Sequence, residues 1–326
     1  MPFLPVGGQA VIEGVMMRSP TRIAVAVRRV DGSLGMLEKT FESITRRVKL
    51  LGLPVIRGAV SLFETLYLGV IALNFSADEA VKETPAEGES DSAAAPAGGT
   101  PAKSGEGGLG LAAQMLTLVI SFGLGLLLFV VLPAKLTGWL GFHDRIGFGL
   151  VDGLFRLIAF VLYLLLISQW KEMARVLGYH GAEHKAIHAL ERRAPLTPES
   201  VQTFSRFHPR CGTSFLFLVV VVSIVVFTFI GKPRGLSDHL LRIACMPLIA
   251  GVAFEFIRIS GKYADRPLVK VLTWPGMQFQ RLTTREPDLE MCAVAIAALE
   301  KVRGDATVVA LEQAGDQARA DVAFVQ

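Results

Sequence analysis

The chain has 326 residues, of which 52% are hydrophobic and 19% charged, and its mean hydropathy is +0.48. The charged share lies below the roughly 25% of soluble proteins, so composition favours a membrane protein over a soluble enzyme. A net charge of +4, spread thinly and with no basic stripe carrying interleaved aromatics, excludes nucleic acid as a first partner. The three cysteines, Cys211, Cys245 and Cys292, are too few for a disulfide framework.

Residues 1–53 are polar and mixed, and Met1–Pro5 lacks a basic segment leading into an apolar one, so no cleavable signal peptide is expected. Ile23–Arg28 reads as a strand, and Asp31-Gly32 supplies a turn, which predicts a small β-hairpin. Gly7-Gly8 and Gly14 predict tight turns just before it. Gln9, Glu13 and Arg18 surround this glycine-rich stretch, which could fold over a site as a lid or simply lead into the hairpin.

Residues 54–76 are apolar but carry Arg57 and Glu64, and residues 77–109 form a linker rich in Ala, Gly, Pro and Ser with no periodicity, read as disordered. Four stretches near the ~20 residues needed to span a bilayer follow, at 110–133, 148–169, 213–231 and 240–259. The third has no charge. The second and fourth contain Arg156, Arg242, Glu255 and Arg258, which need protein or interfacial partners.

Lys and Arg set the orientation. Residues 170–212 carry seven, whereas 134–147 and 232–239 carry two each, so 170–212 is expected inside. The first 50 residues carry eight and are expected inside as well. Both termini are then cytoplasmic, and 54–76 must be a re-entrant or interfacial helix that does not cross. The expected fold is mainly α and polytopic: four transmembrane helices in a 110–260 membrane domain, plus the hairpin and a 261–326 amphipathic, cytoplasmic C-terminal segment. In the latter, a surface helix is expected to break at Trp274-Pro275-Gly276, with a short soluble helix at 288–303 and a loose tail.

Residues 170–192 read as a helix. His180 and His184, four apart, share one face, so both imidazoles can reach one metal ion. Glu183 sits beside them. H-x-x-E-H inverts the zincin H-E-x-x-H and is the inverzincin peptidase pattern, in which two His hold zinc and the Glu is the general base. The alternative is a polar helix with two solvated histidines. For a third ligand, Glu255 is the first choice, because it would complete an open His₂Glu site and should not stand alone at membrane depth. His208 and Cys211, in the HPRC loop, are the rival, completing a closed structural site or pinning a turn. His188 extends the row but reads as a surface residue. His143 and His239 fall in loops on the other side, and Asp265 reads as a cap or a partner of Arg266.

Four stretches, GGQAVIEGVMMRSP at 7–20, YHGAEHKAIHALE at 179–191, HPRCGTSF at 208–215 and SGKYADRPLVKVLTWPGMQFQRLTTREP at 260–287, resemble the YqhQ-like family of bacterial membrane proteins. The resemblance covers nearly the whole chain apart from 77–109 and the tail. It implies a multi-pass protein of the bacterial inner membrane, a metal-dependent enzyme of unassigned role, with its site at His180, Glu183, His184, His208 and Cys211. A neutral polar residue is expected in relatives at position 188, which argues against His188 as a ligand. The combined expectation is a zinc-type hydrolase at the cytoplasmic membrane face, with Glu183 catalytic and a peptide or membrane-protein substrate. The rivals are a non-catalytic metal-stabilised scaffold and, ranked last because the third span has no ionisable residue, an ion transporter.

Overall fold

The computed structural model describes residues 6–80, 82, 108–142, 144–209, 211–263 and 266–304. The expectations for most of the 77–109 linker, for His143 and Asp265, and for the tail beyond residue 304 lie outside the described residues.

The chain opens with a four-stranded antiparallel meander, β1 (Gly7–Val11), β2 (Gly14–Arg18), β3 (Arg22–Arg28) and β4 (Leu34–Thr40), in the order β1-β2-β3-β4. The β3–β4 hairpin turns at the expected place, with Gly32 at φ 86°. The β1–β2 hairpin was not expected. Its register pairs Val11 with Gly14, so the chain reverses through Ile12 and Glu13, the latter at φ 50°. Gly7, Gly8 and Gly14 lie in strands rather than in turns. Gly8 and Gly14 serve close packing: a Cβ on Gly8 would strike the main-chain oxygen of Met16, and one on Gly14 that of Ala26.

After the sheet come the short helix α1 (Ile44–Arg47) and then α2 (Ile56–Glu79). Helix α3 (Gly108–Leu126) continues through a π-helical turn at Leu127–Val131 into α4 (Leu132–Trp139). Helices α5 (Arg145–Ile167), α6 (Lys171–Glu191), α7 (Pro198–Gln202) and α8 (Gly212–Ile230) follow. Then come α9 (Leu236–Ala244), α10 (Met246–Lys262), α11 (Pro267–Thr283) and a final helix, α12, at 289–304. Pro275 sits inside α11, which runs through it unbroken, contrary to the expected break.

Five helices among the described residues, one more than expected, are long and apolar enough to cross a membrane: Ile56–Glu79, Val119–Trp139, Arg145–Ile167, Gly212–Ile230 and Leu236–Ser260. Their outward faces carry large apolar side chains such as Trp139, Phe229 and Leu166. The added helix is α2, a single continuous helix from Ile56 to Glu79 rather than a segment that turns back.

The sheet is buried on both faces, and strand alternation sorts its side chains. Val11, Met16, Ile23, Val25 and Val27 pack on Leu68 and Ala72 of α2. Val15, Met17, Ala24 and Ala26 pack on Tyr179, Ala182 and Ala186 of α6 and on Ala295, Ala298 and Leu299 of α12. This second layer fixes the face of α6 that is left for chemistry.

In the bundle, α5 approaches α8 closely because Gly149 and Gly153 face Thr228 and Ile224; a Cβ at either glycine would overlap them. Three of the charges that needed partners, Arg156, Arg242 and Glu255, find them. Asp152 accepts from Arg156 Nε (3.1 Å) and Arg242 Nη1 (3.3 Å), all three being buried, and both guanidiniums lie over the Phe227 ring. Glu255 pairs with Arg57 of α2, whose Nε and Nη2 reach its two oxygens at 2.6 and 2.5 Å.

Candidate metal centre

Helix α6 presents His180, His184 and His188 in one row, with ring centroids 4.5 Å apart for the first pair. Each ring is locked by a main-chain carbonyl. His180 Nδ1–H donates to Thr283 O (2.7 Å), His184 Nδ1–H to Arg206 O (2.5 Å) and His188 Nε2–H to Phe207 O (2.9 Å). A carbonyl only accepts, so these bonds set the tautomers and leave His180 Nε2, His184 Nε2 and His188 Nδ1 as lone-pair nitrogens. Carbonyl-oriented imidazoles of this kind are how proteins prepare histidine for a metal.

The carbonyls are delivered by segments far along the chain. Gln280 of α11 receives the His208 N–H (2.8 Å) and donates through Nε2 to His208 O (2.7 Å) and Ser214 Oγ (3.2 Å), pinning the 206–214 loop. Arg206 Nη1 donates to Thr284 O (2.6 Å). The chain after α11 runs directly over Gly181, where a Cβ would overlap the Arg285 main-chain oxygen. Glycine in the H-G-A-E-H stretch is therefore a packing requirement.

Two donor groups result. His180, His184 and Cys211 offer ligand atoms within 4.8 Å of one another, and so do His188, Glu191 and His208. His180 Nε2 lies 3.2 Å from Cys211 Sγ, which caps α8 and accepts from the Thr213 N–H (3.3 Å). His184 Nε2 is buried and has no partner at hydrogen-bonding geometry. A buried lone pair left without a donor is costly, and two imines converging on a thiol suit a borderline-soft divalent ion such as Zn²⁺. These residues fit a metal of that type.

Glu183 points into the same cleft. It takes a hydrogen bond from the Gly8 N–H of β1, while its Oε2, 4.0 Å from His180 Nε2, is buried with no hydrogen-bond partner. Burial raises its pKa above the usual carboxylate range; nearby His180 and His208 and the Gly8 N–H oppose this. Burial lowers His184 and takes His188 and His208 each to about 4, so at neutral pH these imidazoles are uncharged and can ligate.

The cleft, about 300 Å³, is walled by Val6–Ala10 of the N-terminal segment, by Leu177 and Ile187 of α6, and by Gly212 and Thr213 at the start of α8. The glycine-rich segment thus forms one wall of this cleft while pairing in the sheet as β1. A larger groove of about 770 Å³ lies at the β1–β2 turn beside Glu13, Arg28 and Arg175, away from the histidines and cysteine.

Of the expected site residues, His180, His184, Glu183 and Cys211 come together, and His208 stands next to them, its ring 5.8 Å from that of His184. Glu255 does not join them: its carboxylate is held by Arg57 and the Val55 N–H. His188, expected to be a surface residue, faces His208 at 4.6 Å between centroids, and Glu191 was not foreseen at all. The i, i+4 row from His180 through His184 to His188 was the available signal.

A bundle of apolar helices joined to a three-layer α/β unit, with imidazoles, a thiol and carboxylates converging between them, defines a multi-pass membrane-type protein with a metal-type donor cluster. Residues 53–305 match the family described as "Protein of unknown function (DUF1385)". The chain is 31% identical over 305 residues, covering 91% of each sequence, to "Uncharacterized protein YqhQ" of Bacillus subtilis (strain 168). The chain belongs to this YqhQ-like DUF1385 family. No solved structure matches it.

Proposed function

We propose that the protein is a metal-dependent hydrolase acting at the cytoplasmic face of the bacterial inner membrane, with His180, His184 and Cys211 holding a Zn²⁺-type ion and Glu183 accepting the proton. The observation that carries this reading is the pair of buried atoms without hydrogen-bond partners, His184 Nε2 and Glu183 Oε2, in one cleft. Three protein ligands leave a fourth position open, the arrangement of catalytic rather than structural zinc. The ion would supply Lewis acidity toward a carbonyl or a water.

The chain's own residues supply the rest. Burial raises the pKa of Glu183, which makes its carboxylate a stronger base than an exposed one. The Gly8 N–H ties one part of its carboxylate and leaves Oε2 facing the cleft. Val6, Leu177 and Ile187 make one wall apolar, and the start of α8 places the cleft at the end of a candidate span. A peptide bond in or beside the membrane is the first substrate on these grounds.

The four-span topology belongs to the same proposal. Along α2, Glu64, Leu68, Ala72, Ser76 and Glu79 are buried, with Leu68 and Ala72 against the sheet, while Phe63, Leu66, Tyr67 and Val70 face outward. A helix with one face on a sheet and an apolar outer face suits the membrane surface. The sheet then shares a side with α6, which matches the seven Lys and Arg between 170 and 212.

A second reading, a metal-stabilised scaffold without turnover, is favoured by one feature: the cluster ties β1, α6, the 206–213 loop and the end of α11 together. Glu183→Gln separates the two. The hydrolase reading expects this variant to retain its metal and lose turnover of membrane-associated peptides; unchanged turnover removes Glu183 as the base.

A further inference from the structure

The second donor group, His188, Glu191 and His208, lies one helical turn from the first along α6. We propose that it is a second divalent-cation position, so that the site is a two-ion centre. This rests on the reading of His180, His184 and Cys211 as the first.

Three observations carry it. The ligand atoms of His188, Glu191 and His208 lie within 4.8 Å of one another, with His208 Nε2 3.4 Å and His188 Nδ1 3.9 Å from the same oxygen, Glu191 Oε2. His208 Nε2 hydrogen-bonds to this oxygen and His188 Nδ1 stands beside it, so two imidazole nitrogens and a carboxylate gather at one point that a cation could take over. Next, the Phe207 carbonyl takes the Nε2–H of His188, so the nitrogen turned toward Glu191 is the one with the lone pair. Finally, His208 is placed to connect the two groups: its ring is 4.6 Å from His188 and 5.8 Å from His184, and its backbone is clamped on both sides of the peptide by Gln280. Helix α6 thus offers ligands at 180, 184, 188 and 191, and a single loop faces them with 208 and 211.

The donor sets differ in kind. The first contains a thiolate-forming residue; the second has two imidazoles and a carboxylate, the harder set. Adjacent ions of this sort clamp both the attacking and the leaving oxygen in hydrolytic reactions. Through His208, which lines the cleft beside His184, the second position would thereby add a second place for a substrate oxygen next to the open position of the first.

The difference in donors makes the two positions separable. The full chain in detergent, stripped with a chelator and desalted, is titrated with Co²⁺, following bound cobalt by elemental analysis and the near-ultraviolet cobalt–thiolate band. The wild type is expected to bind two ions per chain, one with the band. His188→Ala and Glu191→Gln should each bind one and keep the band. Cys211→Ser should bind one and lose it. The nearly isosteric Glu191→Gln guards against a folding failure in His188→Ala, and both are checked by gel filtration. One ion in the wild type, with the band and unchanged in Glu191→Gln, overturns the second position and leaves the first intact. One ion without the band, lost in Glu191→Gln and kept in Cys211→Ser, overturns the two-ion centre and the ligand set of the proposed function. No binding by the wild type removes both.

Discussion

The main-chain N–H of Gly8 donates to the carboxylate of Glu183, joining the first strand of the chain to the catalytic candidate 175 positions away. A Cβ at Gly8 would stand 2.5 Å from the Met16 main-chain oxygen and 3.0 Å from Glu183 Cγ. Gly8→Val should therefore displace β1 or Glu183 and destabilise the protein by about 1–3 kcal/mol. A thermal melt in detergent reads this as a lower midpoint. An unchanged midpoint would mean that β1 does not sit on Glu183.

Gln280 touches no ligand atom, yet its amide holds both sides of the His208 peptide. Gln280→Ala should free the loop that carries His208, Cys211 and the Arg206 carbonyl, and so weaken metal affinity by roughly 10–100-fold, as the loss of outer-sphere partners does. Competition with a chelator of known affinity measures it. Gln280→Glu keeps the acceptor for the His208 N–H but not the donor to its carbonyl, and should fall between.

Deep in the bundle, Asp152 serves two arginines. Asp152→Asn leaves both guanidiniums buried without a counter-charge, and removing one partner of a buried ionic group costs about 3–5 kcal/mol. The expected result is poor expression or a large fall in melting temperature, with no change in metal content in whatever folded protein is recovered.

Glu13 is held below the usual carboxylate range, chiefly by its hydrogen bonds from Arg175. A depressed carboxylate stabilises the fold above its unfolded pKa, and that contribution is lost as pH falls through the folded value. The melting temperature of Glu13→Gln should lie below that of the wild type at pH 7, and the gap should close toward pH 3. A gap independent of pH would assign the effect to packing instead.

The sequence made some of this legible and hid the rest for physical reasons. Period and length revealed the spans, and the four-residue spacing of His180 and His184 fixed their shared face before any tertiary contact was known. Cys211 was visible as a thiol near a histidine. Glu255 misled because an isolated carboxylate in a span demands a partner without naming it; the partner, Arg57, is 198 residues earlier. His188 read as a surface residue, and Glu191 went unnoticed, because only the return of the 206–208 loop, held by Gln280, gives that end of α6 a lining. The β1–β2 hairpin was missed since Ile12-Glu13 lacks the Asn-Gly or Asp-Gly signal of a two-residue turn. Length and apolarity could not show that α2 lies against a sheet, which is a property of its neighbours.

The proposed chemistry stands on a metal ion held between α6 and the 208–211 loop. It is tested most directly by elemental analysis of the full chain, purified without chelators, in the wild type beside His184→Ala, Cys211→Ser and Glu255→Ala. Bound zinc-type metal is expected in the wild type, kept in Glu255→Ala and reduced in both His184→Ala and Cys211→Ser. Metal absent from the wild type, or lost in Glu255→Ala while retained in His184→Ala, would contradict it.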